Sequence, residues 1–187
     1  MNQMKWVKWS MVALIVTMFA AACDDDDDNN NSKEWTQTDQ NFVTKANEGN
    51  RAEIEIAALA SSRSSTDSVK NFADMMIDDH NDALEELKNL ADNKEFALST
   101  NLSAEHEALK TRLAGYTGFT FDTAYIKSQI EAHSKVVALF EAESNNGDDQ
   151  ALKNYANKYL PGIRLHLTEA TAINIMLTDT IPAPGGD

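Results

Sequence analysis

The sequence predicts an all-α fold, an up-down bundle of four long helices with a short extra helix between the second and the third. Apolar residues recur at helical spacing from Thr38 to about Thr180, and no segment of useful length alternates as a β-strand does. Long helices of about 23–30 residues would each extend roughly 35–45 Å. Helices of that length with short connections pack as bundles.

Composition and charge restrict the partners of the chain. The 187 residues include 16 basic and 30 acidic side chains, a net charge of 16 − 30 = −14, and 42% are hydrophobic. This balance is typical of a globular domain rather than a disordered chain. An acidic surface repels phosphate backbones, so we expect no nucleic-acid partner. The single cysteine excludes an internal disulfide and a thiolate metal cluster.

The first two long helices are predicted over residues 39–63 and 67–93. Ser65 or Thr66 is expected to cap the second. Gly49 lies inside the first, where glycine costs about 1 kcal/mol relative to alanine; it indicates either a close approach by a neighbouring helix or a local break. The inward stripes are Phe42, Ala46, Gly49, Glu53, Ile56 and Ala60 on the first helix, and Val69, Phe72, Met76, His80, Ala83, Leu87 and Leu90 on the second.

The remaining helices are a short one at about 103–114 and long ones at about 121–144 and 149–178. Pro161 lies inside the last helix, where it removes a hydrogen bond and is expected to produce a kink. The inward stripes are Ile126, Gln129, His133, Val136, Val137 and Phe140 on the third long helix, and Leu152, Tyr155, Tyr159, Ile163, His166, Ala170, Ile173 and Leu177 on the fourth.

The N-terminal residues are those of an export signal. Lys5 and Lys8 precede a nearly continuous apolar run over 11–22, which is too short to span a bilayer. The small residues that end this run, followed by Cys23, resemble the lipobox of bacterial lipoproteins. That resemblance implies that Cys23 is lipidated and anchors the mature protein to a membrane. The alternative is an ordinary signal peptide cleaved near Ala22, which would leave a free thiol.

The domain organisation follows from this signal. We predict a lipoprotein signal peptide over 1–22, an acidic disordered tether over 23–37, the bundle domain over 38–180 and a disordered tail over 181–187. Five aspartates directly after Cys23 resemble a surface-export signal of some Gram-negative groups, whereas in other groups such residues resemble an inner-membrane retention signal. We expect the cell envelope, with the outer membrane or cell surface favoured; any protein partner remains unknown.

Each long helix carries one metal-competent side chain on its inward stripe, namely Glu53, His80, His133 and His166. Each lies within about two residues, or about 3 Å, of the midpoint of its helix, so the four should meet at one level. Buried carboxylates and imidazoles are unfavourable unless they are paired or bind a cation. The pattern therefore indicates one transition-metal ion, of which Zn, Cu, Fe and Mn are the candidates.

Two other interpretations of these residues stay open. The same side chains could form a closed hydrogen-bonded network in a non-catalytic envelope protein that has a structural or partner-binding role. His80 or His166 could also act as a general base in an enzyme. Residues near the four that could support a metal, as a second shell or as extra ligands, are Asn50, Met76, Asp79, Gln129 and Glu169.

Several stretches of the chain resemble the bacterial domain-of-unknown-function family 4142 over about 37–178. They are Asp39-Gln40-Asn41-Phe42, Asn50-Arg51-Ala52-Glu53-Ile54-Glu55, Val69 to His80, Gly118 to Tyr125, His133, and Leu160-Pro161-Gly162-Ile163-Arg164-Leu165-His166. The resemblance implies an exported, ferritin-like helical bundle with a metal site between its helices. The di-iron pattern of such bundles is absent, because no helix carries Glu-x-x-His. A single metal with three histidines and one glutamate fits this sequence better.

Overall fold

A computed structural model of the protein describes residues 34–179, and five helices account for most of them. Every helix end agrees with its predicted position to within three residues, and no strand is present within 34–179. The predicted all-α bundle with a short helix between the second and third long helices is therefore confirmed. The helices are α1 (Gln37–Arg63), α2 (Asp67–Asn93), α3 (Ala104–Ala114), α4 (Gly118–Asn146) and α5 (Gln150–Asp179).

The four long helices form two hairpins. α1 packs mainly against α2 and α4 against α5, while α2–α5 and the sparser α1–α4 contacts join the hairpins. Neighbouring helices are antiparallel, but α2 and α4 run in the same direction. The first halves of both helices lie in one apolar cluster, and their second halves lie in the other. The α2–α4 connection must therefore return along the bundle. It carries α3, which contacts α1 and α4.

The apolar core has two parts. Ile56, Phe72 and Phe121 belong to the cluster at one end, whereas Phe42, Phe140 and Leu152 belong to the cluster at the other. His80, His133 and His166 belong to neither cluster and lie between them in the sequence of each helix. The bundle therefore has a polar layer near mid-height between two apolar halves.

The packed domain begins by Trp35. This side chain is 5% exposed within the apolar cluster of Phe42, and Thr36 forms a capping box with Asp39 at the start of α1. Residues 34–37, which the sequence assigned to the tether, therefore belong to the domain. The signal peptide, Cys23, the rest of the tether and the tail lie outside the described residues. Within residues 34–179 no helix is long and apolar enough to cross a membrane.

The α1–α2 turn is fixed by a partner distant in sequence. Thr66 occupies the cap position of α2, but its hydroxyl does not cap the helix. The hydroxyls of Ser65 and Thr66 donate to Asp122 on α4, at 2.7 and 2.5 Å. The predicted side-chain cap is therefore wrong, because the buried Asp122 carboxylate competes for these hydroxyls. Burial raises the pKa of Asp122, but these hydrogen bonds outweigh it and leave the pKa below its usual value.

Neither Gly49 nor Pro161 interrupts its helix. α1 runs through Gly49, and a Cβ placed there would meet no atom within 4 Å, so the glycine does not admit a neighbouring helix. Both explanations predicted for Gly49 are therefore wrong. α5 continues across Pro161 from Gln150 to Asp179. Gly49 instead lines an open space beside the polar layer.

Candidate metal centre

Three histidines from three helices meet in the polar layer. His80 on α2, His133 on α4 and His166 on α5 are 7%, 1% and 3% exposed. Their ring centroids lie 5.4–5.9 Å apart. One ligand nitrogen from each ring lies within 4.8 Å of the others, which is close enough to hold a metal ion. Two nitrogens on one ion at 2.0–2.1 Å are about 3.3–3.6 Å apart, so small side-chain adjustments suffice.

Hydrogen bonds fix the tautomers of His80 and His133. Nδ1 of His80 donates to Oδ1 of Asn50 at 2.8 Å. Nδ1 of His133 donates to the backbone carbonyl of Gln129 at 2.9 Å, because a carbonyl only accepts. In the neutral rings Nε2 therefore carries the lone pair, and Nε2 is the ring atom available to a metal ion.

His166 is oriented from the opposite nitrogen. Its Nε2 lies 2.8 Å from Oδ2 of the exposed Asp79, which accepts a hydrogen bond as a carboxylate does. The lone pair of the neutral ring is then on Nδ1. A carboxylate behind a ligating imidazole fixes the ring and increases its basicity. Asp79 thus lies at the rim of the site and contacts it through His166.

The Asn50 side chain is held by a second set of contacts. Its Nδ2 donates to the hydroxyl of Tyr155 at 3.2 Å, and that hydroxyl donates to the carbonyl of Ala83 at 3.1 Å. Oδ1 of Asn50 is therefore left to accept from His80. Asn50 is 5% exposed, so it lies in the interior and not on the solvent side of α1.

Two of the inward-facing ring nitrogens have no hydrogen-bond partner. Nε2 of His80 and Nδ1 of His166 are buried and have no hydrogen-bond partner. Burial, followed by the neighbouring imidazoles of His133 and His166, holds the pKa of His80 well below its usual value. Burial and His166 lower the pKa of His133 to about 4, although the Gln129 carbonyl opposes this shift. The structure thus gathers lone pairs that a cation can satisfy.

Glu53 lies beside the histidines but outside their close group. It is 8% exposed on α1 and lines the same cavity as the three rings. Its ligand atoms are not within the 4.8 Å set. Burial raises the pKa of Glu53 to about 7, and a hydrogen bond from the Gln129 side chain opposes the rise. Tyr125 is nearby: burial and then the charge of Glu53 hold its pKa well above the usual value.

The other predicted supporting residues take different positions. Met76 is fully buried in the apolar cluster of Phe72 and packs as a core residue. Glu169 is half-buried on α5 and does not hydrogen-bond to any of the three rings. Tyr125 was not among the predicted site residues, although its spacing of four from Gln129 and eight from His133 places it on the same helical face.

A cavity of about 1280 Å³ reaches the site. It is lined by the three histidines and Glu53, together with residues from all five helices. Gly49 on α1 and Gly162 on α5 both border it, and a Cβ at either position would meet no atom within 4 Å. The cavity thus extends from the polar layer to open space beside Gly49 on α1 and beside Gly162 on α5.

Comparisons with known proteins agree with this fold. A family profile described as "Domain of unknown function (DUF4142)" matches residues 25–173. A crystal structure of a DUF305 fragment from Deinococcus radiodurans superimposes with a TM-score of 0.69 at 14% sequence identity, covering 76% of this chain and 99% of that one. At that identity the similarity concerns the fold alone. No curated protein matches the chain.

Proposed function

The chain belongs to the DUF4142 family of unknown function, and from its site we propose that it binds one transition-metal ion through His80, His133 and His166, with Glu53 facing the ion from α1. The supporting observation is the convergence of three buried imidazoles, at least two of whose inward nitrogens have no partner. Leaving such atoms unpaired is unfavourable, and coordination removes that penalty.

The donor set favours Zn, Cu, Fe or Mn. Imidazole suits Zn, Cu and Fe, and the nearby carboxylate also suits Mn. Met76 packs in the apolar core, so a thioether does not favour copper here. Metal handling or envelope stress is the role we propose for such a site.

Elemental analysis of the purified chain, prepared without a histidine tag, tests the proposal. We expect about one equivalent of metal, and a rise in melting temperature when metal is added to chelator-treated protein. His133→Gln should abolish both effects. His106→Gln is the matched control, because His106 lies outside the trio and pairs with Ser103 at the start of α3. Protein that contains no metal and shows no melting shift with any of the four ions would refute the proposal.

A closed hydrogen-bonded network in a structural or partner-binding protein is the second candidate. Each of the three rings has one ordered partner, which favours it. The nitrogens of His80 and His166 that have no hydrogen-bond partner are evidence against a closed network. The same His133→Gln variant separates the two, because a network alone predicts a change in stability that is independent of added metal.

We propose further that the bundle is attached to the cell envelope through a lipid on Cys23, with the outer membrane or cell surface favoured. The support is the sequence around Cys23, which lies outside the described residues. The test is incorporation of a labelled fatty acid, which Cys23→Ser should abolish together with recovery of the protein in the membrane fraction. Unchanged labelling of that variant would exclude this anchor.

A further inference from the structure

The histidines provide a metal with three protein ligands and leave one position free. The second nitrogen of each ring is already bonded to Asn50, Gln129 or Asp79. Within residues 34–179 no other histidine, cysteine, aspartate or glutamate joins the close group. Structural sites are usually closed by four protein ligands, whereas sites with three protein ligands keep a position for water or substrate.

Buried oxygens without partners lie on the α1–α4 side of the site. Oε2 of Glu53, Oε1 of Gln129 and the hydroxyl of Tyr125 are buried and have no hydrogen-bond partner. They come from α1 and α4, and Gln129 lies one turn from His133. Unpaired buried oxygens of this kind are expected to hold a small hydrogen-bonding molecule.

The same side of the site has a route to solvent. Gly49 lies one turn before Glu53 on α1, is half-buried and lines the cavity. Its missing side chain leaves open space, since a Cβ there would have no neighbour within 4 Å. Ala52 and Ala132, which have small side chains, also line this cavity.

We infer that a metal held by the three histidines binds one small exogenous ligand between itself and Glu53, and that this ligand enters through the α1–α4 cleft past Gly49. The inference rests on the proposed metal site. Oε1 of Gln129 only accepts hydrogen bonds, and Oε2 of Glu53 does the same when it is ionised, so a ligand that donates hydrogen bonds fits this space. The carboxylates of Glu53 and Asp79 together balance the charge of a dication, so no excess positive charge is required of the site. The ligand class is therefore water or hydroxide in the resting protein, and a small anion serves as the probe that displaces it.

Azide binding to the Co²⁺-loaded chain tests the inference, because the visible d–d absorption of Co²⁺ changes when a ligand is exchanged. In the native protein we expect a saturable spectral change with azide. Gly49→Leu should weaken or slow azide binding by about tenfold or more, while Co²⁺ affinity stays unchanged. Ala58→Leu is the matched control, since it places the same side chain on an exposed face of α1 away from the cavity.

Gly162→Leu tests the direction of entry. Gly162 follows Tyr159, whose hydroxyl contacts α2 at Glu86, so it borders the α2–α5 side. We expect this variant to leave azide binding unchanged, and an effect of Gly162→Leu without one of Gly49→Leu would overturn the route. A Co²⁺ spectrum insensitive to azide would overturn the ligand site while leaving the metal site intact. Failure to bind Co²⁺ or the native metals would instead refute the proposed function.

Discussion

At the scale of single residues, Asp79 shows how an exposed side chain reaches a buried site. Its carboxylate accepts a hydrogen bond from Nε2 of His166, while its own side chain is 53% exposed. Asp79→Ala should therefore fold normally but weaken metal binding about 10–100-fold, as is usual when the group behind a ligating histidine is lost. Competition with a chromogenic chelator measures this affinity.

Asp78→Ala is the matched control for that change. It removes the same charge from the adjacent exposed position on α2, and none of the three histidine rings hydrogen-bonds to Asp78. Equal weakening by both variants would mean that Asp79 acts only through the net charge of the surface and does not position His166.

Glu53 should make the metal-free protein less stable at alkaline pH. Its pKa is about 7 in the folded state against an ordinary 4.5. Between these two pH values the folded state therefore binds a proton that the unfolded state does not. The stability that this proton contributes is fully present below about pH 4.5 and is lost as the pH rises through about 7.

In Glu53→Gln this loss should disappear. In the presence of a chelator, the free energy of unfolding of the variant minus that of the native chain should increase by roughly 2–3 kcal/mol from about pH 4.5 to about pH 8. Urea unfolding at several pH values measures the difference. A difference that does not change with pH would show that the Glu53 carboxyl ionises as it would in water.

At the scale of elements, α1 carries a glycine that the helix itself does not require. A Cβ at Gly49 meets nothing, and alanine is favoured over glycine inside a helix by about 1 kcal/mol. Gly49→Ala should therefore raise the free energy of unfolding by about that amount without changing metal content. Loss of stability in this variant would show that the space beside Gly49 is filled.

Gly147, after α4, is the opposite case. A Cβ there would lie 2.7 Å from the backbone oxygen of Glu143 and closer still to its carboxyl group. Backbone cannot move aside as a side-chain tip can, so Gly147→Ala should lower the free energy of unfolding by about 1–2 kcal/mol. Thermal melts of the two alanine variants side by side should move in opposite directions.

The helices were predictable from the sequence because periodicity and end signals are local properties. The partner of Thr66 was not, because Asp122 is 56 residues away and only the folded packing brings them together. The shared direction of α2 and α4 was also not predictable, since a hydrophobic stripe carries no direction. His80, His133 and His166 could be placed at one level from helix midpoints. The distance of Glu53 from them depends on side-chain conformation and on Gln129, which periodicity does not specify.

At the scale of the whole molecule, the polar layer is expected to lower the stability of the metal-free bundle. It separates two apolar halves that could otherwise join in one core. Buried polar groups replaced by apolar ones of similar size often leave a protein equally or more stable. Functional sites commonly carry such a penalty. The three histidines should therefore be unfavourable to the metal-free fold and favourable only when an ion is bound.

His133→Leu tests this expectation in one variant. The pKa of His133 is lowered to about 4 from 6.5, so the native chain loses stability as the pH falls between these values, where the unfolded state takes up a proton that the folded state does not. In the absence of metal, the free energy of unfolding of the variant minus that of the native chain should increase by about 2 kcal/mol as the pH falls from about 8 to about 5. Added metal should raise the melting temperature of the native chain alone. If the variant were less stable than the native metal-free chain at both pH values, His133 would have to contribute to the fold through hydrogen bonding, and the layer would be structural.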